Sequence, residues 1–300
     1  MMNEVSFYYG NPKDTGSWDQ AASIFAAHDS VNSARTSSLP LVQFWKPMGK
    51  ESVINPLADK MLEDCGVSAS DVEQLNFEYP VPVKSDCNGK GKASMTDLMI
   101  ISKYHAIAIE AKWTECKKKY EPISVWKKEG KDKENRNNVL KGWIGYIKDF
   151  ADSKGFETKT LGEYDKIPYQ LLHRIASACA VAKQQGKKEA IVIYQLFYDP
   201  DREVGCVGKE ERVSKAKMED FAKMLAGHYE NLFKKLTKIR FYITLFETKM
   251  NQSKELAGIL DRVTDKDSSS LSDIFVLMQK QKKNVYEFSN PPNPPYICVK

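Results

Sequence analysis

Two acids and a lysine stand where a pair of strand-like runs would bring them together. In residues 94–113, SMTDLMIISKYHAIAIEAKW, Asp97 belongs to the first run, and Glu110 and Lys112 to the second. Alternate residues of a strand share a face, so Ile107, Ile109, Ala111 and Trp113 point one way while Ala108, Glu110 and Lys112 point the other. A hairpin centred on Lys103 and Tyr104 sets Ser102 opposite His105 and Asp97 opposite Glu110. Directly opposed residues have Cβ atoms about 4.5 to 5.5 Å apart. Two carboxylates that close repel each other unless a cation lies between them or one is protonated. Lys112 supplies part of that charge, and a divalent metal could supply the rest. Hard oxygen ligands with few histidines nearby favour Mg2+, with Mn2+ as a substitute, over zinc. Such a metal would polarise a phosphate and generate hydroxide from water, with Lys112 stabilising or orienting the attacking group, which is the chemistry of phosphodiester hydrolysis. The competing reading is a solvated cross-strand salt bridge, which stabilises little and does not account for two acids placed opposite one another.

Asp97, twelve intervening residues, then Glu110, Ala111 and Lys112 at the end of an apolar strand form a pattern that resembles the PD-(D/E)XK nuclease superfamily, the restriction-endonuclease-like fold. The resemblance covers roughly residues 51–198, with a large insertion between the third strand and the helix that follows. It implies that Asp97 and Glu110 coordinate the metal, that the Ala111 backbone carbonyl is a further ligand, and that Lys112 assists the nucleophilic water. Thr96 stands where the motif has its proline. The resemblance also implies another acid from the first helix, for which Glu51, Asp59 and Glu63 are candidates and Glu51 the first choice. Gln170 and Arg174 open the helix after the third strand, where branches of the family carry polar residues. Four apart on a helix, they share a face and would both reach a phosphate.

The elements that must position these residues can be read from period and punctuation. Residues 18–27 have helical spacing, and LPLVQFW (39–45) is an apolar run without evident chemistry. The FYYG run near the start is read as packing. Asn55 and Pro56 read as N-cap and first helical residue, with Leu57, Met61 and Leu62 as the apolar stripe of a helix ending near Gly66. Residues 72–83 read as extended, with Pro80 and Pro82 forcing an edge or irregular ends. The hairpin follows. Residues 115–166 form a long, lysine-rich connection containing an amphipathic helix over 139–150, and so long a connection is uncommon unless functional or mobile. A helix over 169–184, a buried strand in GKKEAIVIYQLFYD, a helix over 215–236 and a strand over 239–247 come next. A helix over 271–282 and an extended PPNPP segment complete the chain.

The order describes an α/β protein: an αβββαβ core with a mixed sheet flanked by helices, plus N- and C-terminal helical extensions. Residues 1–50 are read as the N-terminal extension, 51–248 as the core with its basic insertion at 115–166, and 249–300 as the C-terminal extension and tail.

Composition supports a folded chain: 42% hydrophobic and 28% charged residues are ordinary for a globular protein. No apolar run approaches the roughly 20 residues that span a bilayer, and no leader pattern opens the chain. The six cysteines form no CxxC pair, which argues against a structural zinc or a disulfide framework and points to a cytoplasmic protein. Between Glu115 and Lys141 nine basic residues face five acidic ones, an excess of four against a net charge of +5 for the whole chain. Lys117, Lys118 and Lys119, directly after the acid pair, are expected to track phosphates, with Trp126 and Trp143 available for base stacking. His105 is expected at the surface of the hairpin turn, and His173 as a partly buried helix residue rather than a base. The expected partner is DNA, with RNA a second candidate, no membrane, and a homodimer left open. The leading function is a magnesium-dependent nuclease of restriction, defence or repair type. The alternative is a non-catalytic nucleic-acid-binding or assembly module that retains the fold. No GxSxG, P-loop or GxGxxG occurs in a suitable context.

Overall fold

Apolar residues fill most positions of the central strands, and all eight described strands lie in one mixed sheet. The computed structural model describes residues 6–9, 37–46, 54–84, 88–113, 120–129, 131–151, 161–200, 215–250, 286–289 and 297–299. In chain order the elements are β1 (Ser6–Tyr9), α1 (Ser38–Phe44), α2 (Pro56–Asp64), β2 (Val72–Val81), β3 (Ser94–Ser102), β4 (His105–Lys112), α3 (Ile123–Glu129), α4 (Lys133–Ala151), α5 (Tyr169–Gln184), β5 (Glu189–Tyr198), α6 (Lys215–Phe233), β6 (Ile239–Met250), β7 (Tyr286–Ser289) and β8 (Ile297–Val299). The strand order is β1-β2-β3-β4-β5-β6-β7, and β8 also pairs β6. The pairs β1–β2, β4–β5 and β5–β6 are parallel; β2–β3, β3–β4, β6–β7 and β6–β8 are antiparallel.

Both sheet faces are covered, which is why β4 and β5 read as near-continuous apolar runs. On one face α1 and α2 pack against Leu98, Ile100, Ile107, Ile109 and Ala111. On the other, α4, α5 and α6 pack against Met99, Ile101, Ala106, Ala108, Val192 and Tyr194. Ala106 and Ala108 are small, as are Ala176 and Ala178 of α5, so this helix sits close over β4. That close approach lets side chains at the start of α5 reach the polar end of β4.

The helix starts follow local chemistry. Asn55 Oδ1 accepts the Leu57 N–H at 2.9 Å, with Pro56 at the first position, and Gly66 takes φ 71° after the last turn. Asp132 Oδ1 accepts the Asn135 N–H at 2.8 Å, so α4 begins at Lys133, six residues earlier than the apolar spacing alone indicates. The hairpin keeps the expected register, with Leu98 paired to Ile109, Met99 to Ala108, Ile100 to Ile107 and Ile101 to Ala106.

Four expectations need correction. The described parts of the terminal segments add strands to the sheet as well as a helix: β1 lies parallel to β2, α1 packs into the core, and β7 and β8 pair with β6. A strand as short as SFYY carries too few residues for a period-2 signal. Among its described residues the connection after β4 holds a helix, α3, besides α4; the Ile123 N–H donates to Ile167 O at 2.9 Å and the Tyr169 N–H to Glu121 O at 3.0 Å, which ties the start of α3 to the start of α5. Trp143 is buried, 1% exposed, because it lies on the apolar stripe of α4, and so it is not available for stacking. His105 is also buried, its Nδ1 held 3.1 Å from Ser102 Oγ across the two-residue turn. Residues 18–27, Glu51, Lys117, Lys118, Lys119 and 271–282 lie outside the described residues. No described helix is long and apolar enough to cross a membrane.

Candidate functional site

The site begins at a break in strand alternation. Leu75 and Phe77 of β2 pack on the α1–α2 side, whereas Val81 and Tyr79, also odd-numbered, pack on the α4–α6 side. Between them Glu78 takes φ 49°, a left-handed value that a residue with a Cβ seldom adopts. Glu78 and Asp97 are also the positions at which the β2–β3 ladder skips a pair, between Phe77–Leu98 and Tyr79–Thr96. Past this point, Ser94, Thr96 and Asp97 of β3 all have side-chain partners or charges on the α5 side: Ser94 Oγ is 2.8 Å from His173 Nδ1, and Thr96 Oγ1 accepts from Arg174 Nη1 at 2.7 Å.

Glu110, at the C-terminal end of β4, is fully buried and surrounded by donors. Its Oε1 accepts from Lys112 Nζ, on the same strand face, and from Gln170 Nε2. Its Oε2 accepts from Arg174 Nη2, which also donates to the Met95 carbonyl at 2.9 Å. Lys112 and Arg174 are 3% and 1% exposed, so both cations are taken out of water onto one carboxylate. Such burial is tolerated only with this density of charge-assisted hydrogen bonds.

Asp97 is held differently. Its Oδ2 accepts the Ala111 N–H at 2.8 Å. Enclosure and the Glu110 charge push its carboxyl up to about 6, against the pull of Lys112, Arg174 and the Ala111 N–H. For Glu110 burial alone would act upward, but Arg174 and Lys112 outweigh it and hold the carboxyl at about 2. Burial, reinforced by the Arg174 charge, lowers His173 to about 3, so its imidazole is neutral and bonded to Ser94. Tyr194, opposite Glu110 in the β4–β5 register, is held well above the usual phenol range by burial and remains a neutral hydroxyl.

Among the described residues, no cluster of three or more His, Cys, Asp or Glu side chains is placed to hold a metal ion. The oxygens that could take a hard cation are the Asp97 and Glu110 carboxylates and Gln170 Oε1, a buried atom with no hydrogen-bond partner. The Tyr194 hydroxyl is likewise buried without one.

The structure thus gathers Asp97, Glu110, Ala111, Lys112, Gln170 and Arg174 into one constellation. Arg174 is committed to Glu110, Thr96 and the Met95 carbonyl rather than presented to an outside phosphate. Asp59 and Glu63 ride on α2, whose buried Ala58, Met61 and Leu62 pack on the opposite sheet face. Ser94, Thr96 and Tyr194 are members that spacing does not single out. Tyr194 alone left a signal, a tyrosine on the Glu110 side of a strand that is otherwise aliphatic at that depth.

A family described as "Domain of unknown function (DUF6946)" matches residues 14–250. No curated protein and no solved structure matches the chain.

Proposed function

Since the chain belongs to the DUF6946 family, whose description assigns no activity, we propose its function from the site: a divalent-metal-dependent nuclease of the PD-(D/E)XK type that hydrolyses phosphodiester bonds, with DNA as substrate. The observation that carries this reading is the meeting of Asp97, Glu110 and Lys112 on one sheet face at the C-terminal end of β4. Ligands of open α/β sheets bind at such strand ends. The order helix, three strands, helix, strand, with α3 and α4 inserted before α5, supports this reading, because it is the element order that the resemblance implies.

The donor set fits a hard cation: two carboxylates and the unpartnered Gln170 Oε1 are all oxygen. Asp97 and Glu110 would hold it, and magnesium bound there supplies phosphate polarisation and a more acidic water. The remaining steps belong to the chain. The Ala111 N–H orients Asp97, and Gln170 and Arg174 hold Glu110. Lys112, kept beside them by Glu110, stabilises the charge that builds on the phosphate oxygens during in-line attack.

A second reading, a binding or assembly module that does not cut, draws on one observation: Arg174 and Lys112 already neutralise Glu110. The two readings separate on plasmid and linear DNA, single- and double-stranded, with magnesium, manganese or chelator. Metal-dependent cutting lost in Asp97→Ala is the expected result. Salt-sensitive binding without cutting on any substrate would give the place to the second reading.

A further inference from the structure

We propose that Arg174 is a positioning residue for the carboxylate pair: one guanidinium ties the irregular end of β3 to the Glu110 carboxylate and so sets where Asp97 stands. The inference rests on the carboxylate pair being the working part of the proposed nuclease, but its test does not require cleavage.

Asp97 itself has no ladder partner, although its neighbours Thr96 and Leu98 pair with Tyr79 and Phe77 of β2. The β3–β4 ladder ends at Leu98–Ile109, one residue short of it, and the β2–β3 ladder skips it. On the β2 side its neighbour is Glu78, in the left-handed region, so strand alternation there supplies no fixed orientation. Residues 94–96 pair with β2, at Tyr79–Thr96, Pro80–Met95 and Val81–Ser94, and α5 adds side-chain ties to the same segment on its own side of the sheet. Arg174 Nη1 donates to Thr96 Oγ1 at 2.7 Å, Arg174 Nη2 donates to the Met95 carbonyl at 2.9 Å, and His173 Nδ1 lies 2.8 Å from Ser94 Oγ. The same guanidinium binds Glu110 Oε2. A planar, rigid fork with several donors can hold two strands at a set spacing, which a lysine ammonium on a flexible stem cannot.

This gives Arg174 a part other than phosphate binding. Its side chain is 2% exposed, and its Nη atoms are spent on three protein acceptors. Thr96 then has a reason to be threonine where the motif has proline, because its hydroxyl is the β3 end of the tie. The reporter of Asp97 placement is the Ala111 amide, which donates to Asp97 Oδ2 at 2.8 Å.

The test is amide hydrogen exchange of the full chain, comparing wild type, Arg174→Lys, Thr96→Val and, as the limit, Asp97→Ala. If Arg174 positions Asp97, exchange at Ala111 rises about tenfold in Arg174→Lys and Thr96→Val, approaching Asp97→Ala, as for loss of one hydrogen bond. The amides of Ile107 and Ile193 stay unchanged, which separates the local effect from loss of stability. Unchanged protection at Ala111 in a folded Arg174→Lys or Thr96→Val overturns the proposal, as does a rise shared equally by all three amides. Mn2+ binding in the same samples bears on the nuclease reading separately. A wild type that binds no Mn2+, with the Ala111 effect intact, would remove the metal and leave the positioning role.

Discussion

Trp126 lies flat on Tyr169, with 3.9 Å between ring centroids and 9° between planes, which couples the insertion after β4 to the start of α5. Arg136 of α4 sits 4.3 Å from the Trp126 ring centroid, and the Tyr169 hydroxyl accepts from Trp143 Nε1 at 2.9 Å. Tyr169 immediately precedes Gln170, a partner of Glu110. The basic segment is therefore anchored beside the acid pair through aromatic packing. A Trp126→Ala, Tyr169→Ala double-mutant cycle is expected to give a coupling energy of about 0.5–1.5 kcal/mol in urea denaturation. A coupling near zero would mean that the stack contributes nothing.

Glu110→Gln should destabilise the fold by about 3–5 kcal/mol, because it leaves the buried Arg174 and Lys112 facing a neutral amide. Lys112→Met, which leaves Glu110 its arginine, should be milder in denaturant. On the nuclease reading it should nevertheless lower kcat by about a hundredfold or more. Equal stability of wild type and Glu110→Gln would show that the pair is not buried as described.

The hairpin register is legible in the sequence because two β-rich runs flank Lys103 and Tyr104 closely enough to allow little slippage, and one residue of slip would put Glu110 on the other face. The approach of Gln170 and Arg174 to one another is legible for the same kind of reason, a helix period of 3.6 residues. Their target is less so, because it depends on how closely α5 lies over Ala106 and Ala108. The tie from Arg174 to Thr96 cannot be read from pattern. It exists only because alternation breaks at Glu78, and nothing in NFEYPVPV marks that residue for a positive φ. Burial of Trp143 is recoverable in retrospect, since Leu140, Trp143, Ile144 and Ile147 share one stripe of α4.

Acid pH should act on the site in two directions. Asp97 is raised from 3.8 to about 6, so its contribution is present in full below its ordinary value and lost as pH rises through 6. His173 is lowered from 6.5 to about 3, so its contribution is present above 6.5 and lost as pH falls toward 3. Thermal unfolding against pH should therefore show wild type gaining on Asp97→Asn as pH falls from 6 to 3.8, and losing on His173→Gln as pH falls from 6.5. Parallel curves for all three proteins would rule out both assignments.

Magnesium should stabilise the wild type and not Asp97→Ala. A ligand that binds only the folded chain adds about 2.7 kcal/mol when present at a hundred times its Kd, which thermal unfolding resolves easily. Asp97 is the acid without a cation bonded to it, its carboxyl held up by burial and by the Glu110 charge, whereas Glu110 already has Arg174 and Lys112. Cation binding should therefore depend more on Asp97 than the symmetry of the pair implies, and Asp97→Asn should lose most of the magnesium-induced rise in Tm. Chelator should reverse that rise in the wild type. A wild-type Tm that ignores magnesium and manganese alike would mean that the Arg174 and Lys112 charges suffice, and the site would then be a neutralised acid pair inside a binding module rather than a centre for hydrolysis.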